Sequence, residues 1–266
     1  MTTIAELYHP SLWDPALATA SEFICGTEYE IEDIKNVEFE DYDYQIGGGK
    51  PYWMGPIGAI EDGSLRNNGV EFVTVPSTYK EALVLFDMLH EALTLGPNPY
   101  THRTSIHVHV NVASLSPGQL KHLVLLYALA EPLFFDFVGE KRKNNIHCVP
   151  LNYTILPGYY NNSVDYLISK WSKYTAFNLN PVVSQGTVEF RHMFGTGDKV
   201  LYTHWLTMLK NLWDFVYKTD PPWLGQVLTQ GFPAQAIIAN VFPLKGNTLP
   251  EEAYASSMID VKMAFV

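Results

Sequence analysis

His107 and His109, in the stretch T-S-I-H-V-H-V-N from Thr104 to Asn111, stand two residues apart among β-branched spacers. A strand sends alternate side chains to opposite faces, so His107, His109 and Asn111 share one face and Ile106, Val108 and Val110 the other. The same alternation gathers Glu28, Glu30 and Glu32 between Thr27 and Asp33, and sets Glu189 and Arg191 opposite Val188 and Phe190 between Gly186 and Met193. If the three polar faces adjoin, they form a wall of carboxylates and imidazoles. Carboxylates that close repel one another unless some hold a proton or a divalent cation sits among them, and we expect the cation. A ligand set of carboxylates with one imidazole suits Mg2+ or Mn2+ better than structural zinc, and such cations commonly clamp phosphates. Arg191 would then lie where a guanidinium stabilises charge developing on a transferred phosphoryl group. Each motif also has a plain structural reading: hydrogen-bonded histidines, a solvated glutamate face, a salt bridge from Arg191 to Glu189. What favours a site is that three separate strands repeat the pattern.

Other routes to chemistry are thinly supported. No Gly-x-Ser-x-Gly elbow is present, and neither Cys25 nor Cys148 has an obvious activating partner in sequence. Gly47, Gly48 and Gly49 precede Lys50, but the spacing of a phosphate-binding loop is missing and Pro51 follows, so this run reads as a mobile loop or lid. Glu140 to Asn145, with Lys141, Arg142 and Lys143, reads as a charged loop that is either a solvated turn or an anion site.

The elements that must position these residues are visible in part. Phe23 to Ile31 and Val37 to Ile46 alternate like strands joined by a hairpin turn, the second polar enough for a sheet edge. Glu61, Asp62, Gly63 and Ser64 form an acidic turn before a strand from Gly69 to Val75 that carries Glu71, so Asp62 and Glu71 can both reach the acidic face. Thr78 and Glu81 have capping-box spacing, and Ala82, Leu85, Phe86, Leu89 and Leu93 mark one face of a helix that Gly96 and Pro97 stop. Ser116, Pro117 and Gln119 start a second helix that runs to about Val138. A short helix near Asn162 to Trp171 and a strand from Tyr174 to Asn180 come next. A third covering helix follows Gly195 to Asp198, with Leu201, Trp205, Met208, Leu209 and Leu212 on one side. These helices should cover the apolar side of the sheet. From about residue 220 to 266, prolines, glycines and short apolar runs such as Ala236 to Val241 suggest small helices wrapping the body.

Composition sets the bounds. The chain has 266 residues, 47% hydrophobic and 17% charged, enough for a sizeable core, and no linker-like run divides it, so residues 1–266 are expected to be one domain. Its 17 basic and 28 acidic residues give a net charge of -11, which disfavours a broad phosphate-backbone binder, and no nucleic-acid partner is expected. Two cysteines are too few for a disulfide framework and point to a reducing cytosol. The stretch Met1 to Pro10 lacks the pattern of a secretory leader, and the longest apolar run, Leu123 to Val138, is broken by Glu131, Pro132 and Asp136. A cytoplasmic protein without a membrane partner is the expectation.

Taken in order, Gly-Thr-Glu-Tyr-Glu from Gly26, Asp-Gly-Ser from Asp62, Gly-Val-Glu-Phe from Gly69, His-Val-His-Val from His107, Arg142 with Asn145, Asn178, and Thr-Val-Glu-Phe-Arg from Thr187 resemble the amidoligase family of the glutamine synthetase and glutamate-cysteine ligase superfamily. The likeness covers roughly Phe23 to Phe215. It implies an α+β fold like the glutamine synthetase catalytic domain, with a curved, largely antiparallel sheet, helices on its convex face, and ATP and divalent cations on its concave face. By the resemblance Glu30 and Glu71 would serve one cation and Glu28, His107 and Glu189 another. His109, Asp62 and Ser64 would lie near the nucleotide, Arg191 would face the γ-phosphate, Arg142 would hold phosphate or a substrate carboxylate, and Asn178 would contact substrate. The catalytic set is then Arg191, Glu189 and Arg142. Gly47 to Gly58, where substrate choice would lie, matches nothing in the family's motifs.

The expected activity is an ATP-dependent carboxylate-amine ligase that makes an amide through an acyl phosphate, with small-molecule or peptide acids and amines as substrates. Such chemistry is mostly positioning and electrostatics, which suits a site without a protein nucleophile. Three rivals stay open: phosphoryl transfer to nitrogen as in guanidino kinases, a metal-dependent hydrolase, and a catalytically silent binding or assembly protein. Neither the identity of the acid and amine nor the oligomeric state is encoded in any motif.

Overall fold

The computed structural model describes residues 2–38, 51–143, 145–243 and 249–265, the side chains of residues 140 and 141 excepted. The Gly47 to Lys50 loop and most of the expected strand Val37 to Ile46 lie outside the described residues. Ten strands are described: β1 (Ile24–Ile31), β2 (Ile34–Val37), β3 (Tyr52–Met54), β4 (Ile57–Ile60), β5 (Val70–Thr74), β6 (Ser77–Thr78), β7 (Leu93–Leu95), β8 (Ser105–Asn111), β9 (Phe177–Asn178) and β10 (Thr187–Phe194). Eight of them form one open sheet in the order β3-β4-β5-β1-β8-β10-β9, with β6 also paired to β1, and every ladder in it is antiparallel. The class is mixed α+β, and strands distant in sequence meet at the centre, where β1 and β10 flank β8.

Alternation along these strands separates core from site. On β1, Cys25, Thr27, Tyr29 and Ile31 are buried, and Tyr29 packs edge-on against Phe86 and beside Tyr202. Phe86 belongs to α2 (Tyr79–Ala92) and Tyr202 to α7 (Lys199–Lys218), the second and seventh of ten described helices that begin with α1 (Ile4–Tyr8). On β10, Phe190 stacks on Phe134 of α3 (Pro117–Val138). Helices α2, α3 and α7 therefore cover the sheet face opposite Glu28, Glu30 and Glu189. Their starts are fixed where the sequence indicates: capping boxes at Thr78 with Glu81 and at Ser116 with Gln119, and an Asp198 carboxylate that accepts from Val200 and Leu201 on α7.

Helix α3 runs through Pro132, which has no N–H to give to the carbonyl four residues back. Tyr153 Oη supplies that carbonyl, Ala128 O, with a hydrogen bond of 3.1 Å, and Ser257 Oγ donates to the next one, Leu129 O, at 3.3 Å. Ser257 lies on α10 (Ala255–Met263), so the C-terminal segment is tied to the middle of the central helix. The remaining helices are α4 (Glu140–Lys143), α5 (Val164–Lys170), α6 (Pro181–Gln185), α8 (Trp223–Thr229) and α9 (Ala234–Val241). Buried apolar residues from Ile4 to Ala264 make one cluster. No described helix is long and apolar enough to cross a membrane.

The structure corrects several expectations. The segment Asp33 to Asn36, expected as a hairpin turn, instead leads into β2: Asp33 has a positive φ of 52°, and β2 pairs with β7 in a separate two-stranded sheet. Gly96 N donates to Asp33 O at 2.7 Å and Asn98 N to the Asp33 carboxylate at 3.1 Å, which pins the chain at Asp33. Consequently α2 ends at Ala92 and the last residues of its apolar pattern become β7. The strand from Tyr174 to Asn180 shrinks to β9, and the charged loop at 140–145 opens with the short α4. Glu32 lies beyond the end of β1 and is occupied with Arg66 N at 2.7 Å and Thr101 Oγ1 at 2.8 Å, away from the other glutamates' partners.

Candidate functional site

Register, more than any loop, brings the acidic and imidazole groups together. Glu30 stands opposite Glu71, Glu28 opposite His107, His109 opposite Glu189, and Glu189 opposite Asn178, so five strands contribute to one continuous polar face. Directly opposed residues have Cβ atoms only ~4.5–5.5 Å apart, which puts their functional groups within reach of a shared ion.

Two groups of ligand atoms result. Glu28, His109 and Glu189 each offer one atom within 4.8 Å of the others, and so do Glu30, Asp62 and Glu71. In the first group His109 Nε2 is 3.2 Å from Glu28 Oε1, and His109 Nδ1 is held by Thr187 Oγ1 at 3.0 Å, which fixes the ring so that Nε2 faces the carboxylate. His107, which the resemblance grouped with Glu28 and Glu189, touches both: its Nδ1 is 3.1 Å from Glu28 Oε2 and 3.4 Å from Glu189 Oε1. Its Nε2 meets Ser105 Oγ at 2.8 Å, and the same hydroxyl donates to Glu30 Oε2 at 2.6 Å, so Ser105 links the two groups. In the second group Asp62 comes from the turn after β4, its carboxylate anchored by Ser64 N at 2.8 Å, while Ser64 itself is exposed.

The electrostatics of this face are unbalanced in a telling way. Burial, then the neighbouring Glu28, Glu30 and Asp62 carboxylates, push the Glu71 carboxyl up to about 8. Burial would raise Glu28 too, but the charges of His109 and His107 and their hydrogen bonds hold its carboxyl well below the usual range. Burial opposes a charged His109, yet Glu28 and then Glu189 raise its pKa. The first group is thus internally compensated by imidazole, and the second is a surplus of negative charge with no cationic side chain among its three members.

Arg191 pairs with Glu189, Nη1 to Oε1 at 2.5 Å, and its Nε donates to His147 O at 3.2 Å. Asn178 Nδ2 donates to Glu189 Oε2 at 2.8 Å, so Glu189 is clamped from both sides. Arg142 is buried, and its guanidinium donates from Nε to His192 O at 2.8 Å and from Nη2 to Arg191 O at 2.5 Å. Those carbonyls lie where the β10 ladder with β8 shifts register between Phe190 and Met193. Arg142 therefore holds the irregular stretch of β10 from which Arg191 projects.

Of the residues singled out in the sequence, Glu28, Glu30, Glu71, His107, His109, Asn178, Glu189 and Arg191 meet on this face, Asp62 reaches it from its turn and Arg142 touches it through main-chain carbonyls of β10, whereas Glu32 is engaged elsewhere. Ser105 and Thr187 were overlooked, although the signal was present: each sits two residues before a singled-out residue, Ser105 before His107 and Thr187 before Glu189, on the same period of two.

Residues 26–213 match the family model described as "putative amidoligase enzyme". No curated protein matches the chain. The matched span begins within β1 and ends within α7, and so takes in every residue of both ligand groups.

Proposed function

From the premise that this chain belongs to the family described as "putative amidoligase enzyme", and is thus a ligase in general terms, we propose that it joins a carboxylate to an amine at the expense of ATP, with Mg2+ or Mn2+ as the cations. The observation that carries this reading is the pairing of two three-ligand groups on one sheet face. The donor chemistry fits hard divalent cations: five carboxylates and one imidazole, no thiolate, and one carboxyl pushed up by burial and by the carboxylates beside it. Glu30, Asp62 and Glu71 would hold one cation. Glu28, His109 and Glu189 would hold the other, with His107 supporting Glu28 and Glu189. When bound, ATP and its cations would supply the phosphoryl group that activates a substrate carboxyl as an acyl phosphate and neutralise the charge on the polyphosphate.

The chain's own residues do the rest. Glu189, oriented by Asn178 and Arg191, presents an oxygen to the cation face and keeps the Arg191 guanidinium beside it. Arg191 is the half-buried cation available to charge developing on a transferred phosphoryl group. Arg142 keeps Arg191 in position through two main-chain carbonyls, and a direct contact from Arg142 to phosphate or to the acid remains part of the proposal. Asn178 and Ser64 complete the set as substrate and nucleotide neighbours. The wider proposal follows the resemblance: a curved sheet like that of the glutamine synthetase catalytic domain with helices on its convex side, one domain over 1–266, small-molecule or peptide substrates, and a cytoplasmic setting.

Incubating the purified protein with ATP, Mg2+ and pools of acids and amines should give a product lighter by one water than the sum of acid and amine, detected by mass spectrometry with matching ADP and phosphate. Glu189→Ala should abolish amine-dependent phosphate release while leaving the circular dichroism spectrum unchanged. Undiminished turnover in that variant would remove Glu189 from the mechanism and with it this assignment.

A further inference from the structure

A cleft of about 570 Å³ opens beside the first ligand group, with Glu28 and His109 in its wall. Its outer wall includes Leu12 and Trp13 from the segment before β1, and Trp13 packs against Trp53 of β3 there. These two N-terminal residues precede residue 26, where the family match begins, so this wall is a property of this chain and not of the matched span.

Three features of the cleft limit what it can take. Among the described residues no lysine or arginine lines it, so the anionic part of a ligand belongs at the cation groups and the part held here is uncharged. The indoles of Trp13 and Trp53 lie with ring centroids 4.9 Å apart at 53°, and Trp13 remains 59% exposed at the rim, which leaves an aromatic surface in water. Aromatic surface is most strongly recognised by another flat ring. The floor beside His109 is Gly26, its cross-strand partner, and a residue without a side chain there keeps the passage from Trp13 to Glu28 open. At Gly58 an added Cβ would sit 3.1 Å from the Trp53 ring and 3.0 Å from Pro51, so a side chain there would press on the Trp53 indole.

We propose that this cleft binds the nucleoside end of the nucleotide, the purine base resting on Trp13 and Trp53 and the phosphates leading to Glu28, His109 and Glu189. This inference rests on the ATP-dependent reading above. It adds that nucleoside affinity is set by residues of the N-terminal segment, and that a neutral planar ring is recognised independently of the cations. The exposed Gln185 amide at the edge of the cleft is placed to meet the heteroatoms of the ring.

Isothermal titration of the full chain with adenosine, without metal, and with tripolyphosphate in Mg2+, separates the two ends. Base stacking on an aromatic side chain is worth ~1–3 kcal/mol, so Trp13→Leu should weaken adenosine binding by about tenfold to a hundredfold. Trp13→Phe should restore most of it, and tripolyphosphate affinity should stay within about twofold in both. Gly58→Ala, which displaces the Trp53 indole without removing it, should weaken adenosine in the same sense. Absence of adenosine binding to the wild-type chain, or an equal loss of adenosine and tripolyphosphate in Trp13→Leu, would overturn the proposal. Trp13-dependent adenosine binding together with no amide product from any acid and amine pool would remove the ligase reading and leave the cleft assignment standing.

Discussion

Individual residues in this chain carry charge or polarity that the fold tolerates only for a reason. Glu71 is the clearest: three other carboxylates surround it, and its own carboxyl retains a proton up to about 8. Burial and those neighbours make the folded chain hold a proton near pH 7 that the unfolded chain has lost, so Glu71→Gln, which needs no proton, should stabilise the metal-free protein at that pH by on the order of 1–3 kcal/mol in urea unfolding, and should lose most of any stabilisation by Mg2+. A stabilised variant that still responds fully to Mg2+ would remove Glu71 from the cation site. His122 presents the opposite case. It is 1% exposed against Phe215 and Trp223, neither ring nitrogen has a hydrogen-bond partner, and burial pushes its pKa down from 6.5 to about 4. Folded, the ring stays neutral where the unfolded chain takes up a proton. Stability from this residue is therefore complete above pH 6.5 and falls as the pH drops towards 4, by roughly 3 kcal/mol at most. His122→Phe should flatten that part of the pH profile of unfolding, and an unchanged slope would show that His122 is not its source. At this scale the sequence was informative about Glu28, Glu30, His107, His109, Glu189 and Arg191, because period two announces a shared face. It was uninformative about Arg142, whose buried partners are main-chain carbonyls fifty residues away.

Among the elements, the long helices α2, α3 and α7 were the most legible, since each begins with a side chain that caps its own backbone and announces itself within four residues. Ser116→Ala, which leaves the start of α3 uncapped, should cost about 1 kcal/mol in thermal or chemical unfolding. Tyr153 has a more specific place in α3. Its hydroxyl lies 3.1 Å from Ala128 O and 2.7 Å from Glu131 Oε2, while Tyr127 Oη and Leu151 N bond the other oxygen of the same carboxyl. One hydroxyl hydrogen serves only one acceptor, and burial raises the Glu131 pKa, so a proton on Glu131 allows Tyr153 to satisfy the carbonyl that Pro132 leaves open. Tyr153→Phe should cost ~1–3 kcal/mol, and an effect no larger than that of an exposed tyrosine would remove this account of the proline. Strand pairing was far less legible. The β3 and β4 hairpin is short, contains Gly55 and Pro56, and shows no alternation to read, and the residues that read as a turn after Asp33 form β2 and pair with β7, more than fifty residues away. Long-range pairing is decided by which faces need covering, which a local pattern does not record.

Across the whole molecule, polar groups from five strands and a turn are held together by a core that runs from Ile4 to Ala264. A ligand that binds only this assembled face raises the stability of the entire fold by mass action, ~2.7 kcal/mol at a hundred times its dissociation constant. Mg2+ or Mn2+ at millimolar concentration should therefore raise the melting temperature by several degrees, and a chelator should reverse it. No shift with either ion in scanning fluorimetry would count against both ligand groups at once. The ladder that places the site also constrains its future. On β8 each odd-numbered residue from 105 to 111 serves the polar face and each even one the core, so deleting a single residue there would exchange the two along every position beyond it. Descendants of this gene can thus vary freely only by substitution within the central strands or by lengthening the segments that join them, and novelty in what the protein accepts would be inherited mainly through its rims.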